Sequence, residues 1–150
     1  MTSNLKWKIK RFKELSLEEL YQLLRLRSEV FVVEQNCVYQ DIDGKDSKAI
    51  HLIGTFKDEI VAYARLFDPG DYFEDASIGR VVVAQKHREN KWGHELMQQA
   101  IFGVEQFCQT QKITISAQLY LQKFYESHGF VAVSEVYLED DIPHIRMTRN

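Results

Sequence analysis

"RVVVAQKHRENKWGHEL", residues 80–96, decides how the rest of the chain is read. A run of valines stops at a basic, glycine-poor turn, and the pattern restarts as a helix. Lys86, His87, Arg88 and Lys91 crowd that turn. The first N–H groups of a helix have no partner within it, and the helix dipole favours an anion there. A basic strand-to-helix junction can therefore hold phosphate, or it can be a solvated surface turn. The flanking sequence has to choose.

Upstream, "ASIGRVVVA" is a nearly continuous apolar strand, which predicts a central position in a sheet. "HLIGTF" and "IVAYARLF", joined by Lys57, Asp58 and Glu59, read as a hairpin. "LKWKIKRF" alternates Leu5, Trp7 and Ile9 with Lys6, Lys8 and Lys10, the period of a half-buried strand. Ser16 with Glu19 three residues on makes a capping box, and Leu17, Leu20, Leu24 and Phe31, with Leu23 and Val30 beside them, supply an apolar stripe. "NCVYQDIDGKDSK" and "DPGDYFED" are loops. Downstream, Leu96, Met97, Ala100, Ile101, Val104, Phe107 and Cys108 recur at helical spacing. "KITISAQ" is a strand and "LYLQKFYESHG" a short helix ended by Gly129. "FVAVSEVYLE" and "HIRMTR" are closing strands around the turn "DDIPH". The order β-α-β-β-β-α-β-α-β-β predicts an α/β (α+β) fold. One mixed, mostly antiparallel central sheet is flanked by helices, in a single domain over residues 1–150.

Composition narrows the function. The 150 residues carry 45% hydrophobic and 27% charged side chains, a globular balance, and the net charge of −3 argues against a nucleic-acid partner. The start, "MTSNLKWKIKRFKEL", reads as neither signal nor transit peptide, and no apolar run approaches the ~20 residues that span a bilayer. The expectation is a cytoplasmic protein with no membrane partner. Cys37 and Cys108 fit no metal-ligand or disulfide spacing, and His87, His94 and His128 share no ligand spacing with them, so no metal is expected.

The element order, with residues 80–96 in its middle, resembles the GNAT superfamily of acetyl-CoA-dependent N-acetyltransferases. Their turn runs Arg/Gln-x-x-Gly-x-Gly/Ala after a strand. Here it stands as Arg88-Glu89-Asn90-Lys91-Trp92-Gly93, with lysine in place of the first glycine. "FYESHGF", residues 124–130, resembles the family's second motif, a tyrosine shortly before Gly-Phe. "RSEVFVVEQ", "DGKDSKAIHLI", "IGRVVV" and "DIPHIRM" resemble the ElaA-type branch over nearly the whole chain.

That resemblance implies acetyl-CoA as cosubstrate and an amine-bearing acceptor, and it leaves a homodimer open. Val81, Val82 and Val83 would run beside the pantetheine arm like an added strand. Residues Arg88, Glu89, Asn90, Lys91, Trp92, Gly93 and His94 would wrap the pyrophosphate. Tyr125 would be the acid for the departing thiolate, and an irregularity near Val82 would free a main-chain N–H for the thioester oxygen. Arg27, Glu34, His51 and His144 would lie near the acceptor, although Arg27 could instead pair with Glu34. An amine of pKa ~10 must lose a proton before attack, and which residue takes it stays open. Two other functions remain. One is a non-catalytic acetyl-CoA-binding sensor or scaffold, favoured by Lys91. The other is an acyl-homoserine-lactone synthase, disfavoured by the chain's length and its Arg88–Gly93 turn.

Overall fold

The computed structural model describes residues 4–150, so Met1, Thr2 and Ser3 of the expected domain lie outside the described residues. The strands are β1 (Lys6–Arg11), β2 (Ile50–Phe56), β3 (Glu59–Phe67), β4 (Ala76–Val83), β5 (Ile113–Gln118), β6 (Val131–Ala132), β7 (Tyr137–Glu139) and β8 (Ile142–Arg149). The helices are α1 (Leu17–Arg27), α2 (Trp92–Cys108) and α3 (Gln122–Glu126). Among the described residues, eight strands form one sheet in the order β1-β2-β3-β4-β5-β8-β6, with β7 also on β8. Every pairing is antiparallel except β4 with β5.

Alternation along the strands fills two cores. Leu52, Ala62, Ala64 and Leu66 share one face with Leu96, Met97, Ala100 and Val104 of α2 and with Tyr125 and Phe130. Ile53, Val61 and Tyr63 share the other with Leu23, Leu26 and Val30. Both faces are covered, which is why β3 is buried from Ile60 through Phe67.

Ser16 caps α1 as expected: its Oγ accepts from the Glu19 N–H at 3.0 Å, and a Glu19 carboxylate oxygen accepts from the Ser16 N–H at 2.9 Å. The buried face differs from the predicted stripe. Leu23, Leu26, Arg27 and Val30 point inward, while Leu17 is 88% exposed. Arg27, expected near the acceptor or paired with Glu34, is taken inside because the carboxylates of Asp41 and Asp46 meet it there. The helix then widens into a seven-residue π-helix, Ser28–Glu34, in which Gln35 N–H donates to Val30 O. Such i→i+5 turns are rare and cluster at functional sites. No periodicity announced this one.

The next-to-last predicted strand is also corrected. "FVAVSEVYLE" forms two short strands, because Ser134 Oγ accepts the Arg146 N–H that a backbone carbonyl would otherwise take. The turn is shorter than "DDIPH": Asp140 and Asp141 adopt φ of 51° and 62°, and β8 begins at Ile142. Pro143 sits in the strand without loss. It faces Leu138 at a position where its missing N–H would point toward β5, which ends at Gln118 opposite His144.

Candidate active site

β4 and β5 pair only at Ala76–Ile113 and Ser77–Thr114, then part. A bulge begins the separation. The β3–β4 register jumps from Arg65–Gly79 to Tyr63–Val82, so Arg80 and Val81 share one position opposite Ala64, and Arg80 holds φ of 50°. Beyond the bulge the Ala84 N–H donates to Val61 O on β3. Successive strand residues alternate, so the N–H and carbonyl of Val83 turn the other way, into the gap left by β5. The irregularity near Val82 is present, and the outward-facing edge belongs to Val83.

The gap opens into a cavity of about 550 Å³. It brings together Val81, Val82, Val83, Arg88, Lys91, Gly93 and His94 with Tyr125, Glu34 and His144. Glu89, Asn90, Trp92, Arg27 and His51 do not reach its wall. Trp92 turns into the core instead, with its ring 5.3 Å from Phe56 and 5.1 Å from His87.

Lys91 is the N-cap of α2 with φ of 58° and ψ of 29°, and among the described residues no side chain caps that helix start. Its first-turn N–H groups therefore face the cavity wall at Gly93 and His94 without a protein acceptor from a side chain, the setting in which an anion binds. Beside them His94 Nδ1 and His128 Nε2 are 2.9 Å apart, and burial together with the neighbouring His94 lowers the His128 pKa. Arg88 spans the cleft. Its Nε donates to Val83 O at 3.1 Å, and its two terminal nitrogens donate to Glu34 at 2.5 and 2.9 Å. Glu34 thus pairs with Arg88, not Arg27.

Tyr125 is 6% exposed, and its hydroxyl makes no hydrogen bond among the described residues. Burial raises its pKa above the ordinary phenol value, so the hydroxyl stays protonated.

Arg27 and His51 belong to a buried network behind the cavity. Arg27 donates to Asp41 at 2.9 Å and Asp46 at 2.7 Å; Arg65 donates to Asp43 at 2.8 Å and Asp46 at 3.0 Å; Arg80 donates to Asp41 at 2.7 Å. Asp41, Asp43 and Asp46 of the loop after α1 thus spend their carboxylates on arginines of the protein itself. Desolvation opposes ionisation of Asp43 and Asp46, but hydrogen bonds from Arg65 and Arg27 prevail and hold both carboxyls below their usual range. His51 Nε2 faces the Asp46 carbonyl at 2.9 Å, so it carries the proton, and Nδ1 accepts from the Tyr63 hydroxyl at 2.6 Å. Burial lowers the His51 pKa and keeps the ring neutral.

Sequence reasoning missed Ser116 on β5 and Tyr137 on β7, and met Glu139 only within the acidic run 139–141, readable as a draw for a cationic amine or as a solvated loop. Ser116 and Glu139 line the cavity, and Tyr137 hydrogen-bonds Ser116 beside it. The signal was the two-residue spacing of Tyr137 and Glu139, which puts both on one strand face.

Two parallel strands that splay after two pairings, with an uncapped helix start and an unpartnered tyrosine on the gap, define an acyl-CoA-type transferase fold. The comparisons agree. A family model described as an acetyltransferase (GNAT) domain matches residues 13–150. Protein ElaA of Escherichia coli K12 is 46% identical over 97% of this chain and 96% of its own. A crystal structure of an acyl-CoA N-acyltransferase from Pseudomonas aeruginosa is 47% identical, with a TM-score of 0.91 over 97% of this chain and 99% of its own. The acyl-homoserine-lactone synthase LasI, 12% identical with a TM-score of 0.76 over 98% of this chain and 90% of its own, shares the fold alone. The chain belongs to the GNAT acetyltransferase family, in its ElaA-type branch.

Proposed function

We propose that this protein is an acetyl-CoA-dependent N-acetyltransferase that moves an acetyl group to a primary amine by direct attack on the thioester. The observation that carries the reading is the shared cavity: residues of the β4 edge, of the start of α2 and Tyr125 all line it. Pantetheine amides pair with the N–H and carbonyl of Val83, taking the place that Arg88 Nε holds at that carbonyl. The pyrophosphate lies on the first-turn N–H groups of α2, with Lys91 and His94 beside it. Once the thioester is seated, the Val83 N–H turns from the pantetheine to the oxygen of the tetrahedral intermediate, because the Ala84 N–H is already held by Val61 O. Tyr125 donates a hydrogen bond to the departing sulfur. Of the four residues expected near the acceptor, Glu34 and His144 act at the cavity wall, and Arg27 and His51 act through the network that fixes the loop beside it.

Calorimetric titration with acetyl-CoA, followed by thiol release over a panel of primary amines, tests the reading. Binding with no thiol release for any amine would favour the non-catalytic module instead.

A further inference from the structure

A cluster at the β5, β7 and β8 end of the cavity has a donor–acceptor pattern that does not close. Ser116 Oγ donates its one proton to Glu139 Oε1 at 3.1 Å, so the Tyr137 hydroxyl donates to Ser116 Oγ at 2.5 Å. The chain Tyr137, Ser116, Glu139 thus ends on a carboxylate. On β8, His144 Nδ1 lies 2.6 Å from the Ile142 carbonyl, which only accepts, so Nδ1 carries a proton. In the neutral ring Nε2 is then a bare lone pair, and it stands 3.5 Å from Glu139 Oε2. With the ring neutral, two acceptors face each other across that distance, and only a proton on Nε2 or a donor from outside the protein can satisfy both. The His144 side chain is 8% exposed and that of Glu139 43%, and both residues line the cavity, so the pair is reached through Glu139.

We propose that Glu139 and His144 seat the ammonium group of the acceptor, and that His144 Nε2 is the base that takes its proton. This rests on the acetyl-transfer reading above. A primary ammonium has three N–H donors. One satisfies Glu139 Oε2, one satisfies His144 Nε2, and the third points into the cavity. A neutral alcohol offers one donor and no charge, and an anion is repelled, so the substrate class is a cationic primary amine. The ammonium gives one proton to His144 Nε2, and the freed nitrogen lone pair bonds to the thioester carbonyl carbon. The C–S bond breaks, and sulfur leaves with its electron pair. The second N–H proton goes from the new amide nitrogen to the thiolate, and His144 releases its proton to solvent. The groups that face His144 are Glu139 and the stacked Tyr137 ring of β7, 6.1 Å away, and the neutral Gln118 of β5 that pairs with it. Ser116 and Tyr137 hold Glu139 and are positioning residues.

The test needs no known acceptor. n-Pentylamine is titrated into the protein without acetyl-CoA, and the ¹⁵N resonances of the His144 ring are followed. The amine is expected to move Nε2 while Nδ1 keeps its proton, and 1-pentanol is expected to leave both in place. Glu139→Gln should weaken the amine's apparent affinity at least tenfold, and His144→Gln should lower kcat for any amine turned over by ~10²-fold with KM little changed. Silent His144 resonances over a millimolar titration, or an equal response to pentanol, would overturn the seat. A failure to bind acetyl-CoA would count against the proposed function alone, because the titration omits it.

Discussion

Arg88 and Glu34, 54 residues apart, close a bidentate ion pair across the mouth of the β4–β5 gap, and the same guanidinium caps the Val83 carbonyl. While that arrangement holds, the arginine of the family's turn is not free for a phosphate, and it occupies the carbonyl of the strand edge. Both partners are substantially exposed, at 41% and 28% of their side chains, so the pair contributes at most ~1 kcal/mol to folding. Glu34→Gln should therefore leave the melting temperature nearly unchanged and tighten acetyl-CoA several-fold. Calorimetry on the variant showing weaker binding would mean that Glu34 supports the cofactor site.

Lys91 sits at φ of 58°, where a side chain costs on the order of 1 kcal/mol relative to glycine. Lys91→Gly should raise thermal stability. It should also weaken CoA binding, most at low salt, where the ammonium's attraction for phosphate is least screened. Equal or tighter binding by the glycine variant at low salt would make the lysine a tolerated surface residue.

Tyr125→Phe keeps the ring packed against Phe124 and Phe130 and removes only the hydroxyl. Turnover should fall ~10²–10⁴-fold with acetyl-CoA affinity nearly intact. Full proton transfer from an ordinary phenol to a thiolate is already uphill by ~1.5 pH units, and burial moves Tyr125 further in that direction. The hydroxyl therefore acts as a hydrogen-bond donor to developing charge, and no alkaline loss of activity below pH 10 should trace to it. Wild-type turnover in the phenylalanine variant would remove it from the mechanism.

Arg27 is fully buried between Asp41 and Asp46. Arg27→Met leaves those carboxylates without their partner and should cost ~3–5 kcal/mol in urea unfolding. A loss below 1 kcal/mol would mean that Arg65 and Arg80 satisfy the loop unaided.

Acid should destabilise the protein in two windows. The folded-state pKa values of His51 and His128 are lowered, so the unfolded chain binds more protons as pH falls, and stability present above ~6.5 is lost through the folded pKa. Asp43 and Asp46 are also lowered, so a second loss begins below ~4. Melting curves from pH 8 to pH 3 should show both declines. A melting temperature that rises between pH 7 and pH 5 would contradict the neutral, buried His51.

Much of the fold was legible because its strands and helices carry strong local signals. The Val81–Val83 run, the Ser16 capping box and the α2 periodicity each point to one local structure. The cavity wall was legible where the family motif is local, at Arg88, Lys91, Gly93, His94 and Tyr125, while Glu89, Asn90 and Trp92 of the same turn face elsewhere. The site was not legible where partners are distant in sequence. Arg27 looked like an acceptor residue or a partner of Glu34 until three aspartates met three arginines, and His51 looked like a pocket residue until Tyr63 and the Asp46 carbonyl took both its nitrogens. Ser116, Tyr137 and Glu139 gather only because β7 folds back on β8. Their chemistry comes from strand pairing, which no short window contains.

The arginines that grip Asp41, Asp43 and Asp46 come from α1, β3 and β4, separated in sequence from those aspartates by 14 to 39 residues. The loop has nothing to hold until all three elements are docked. Its ordering belongs to the native side of the folding barrier, after the sheet and α1 have assembled. Replacing Arg80 should then steepen unfolding kinetics and leave the refolding rate almost untouched, so the network acts as a latch on the lifetime of the folded state. A chevron whose refolding limb slows as much as its unfolding limb quickens would place the loop in the nucleus instead.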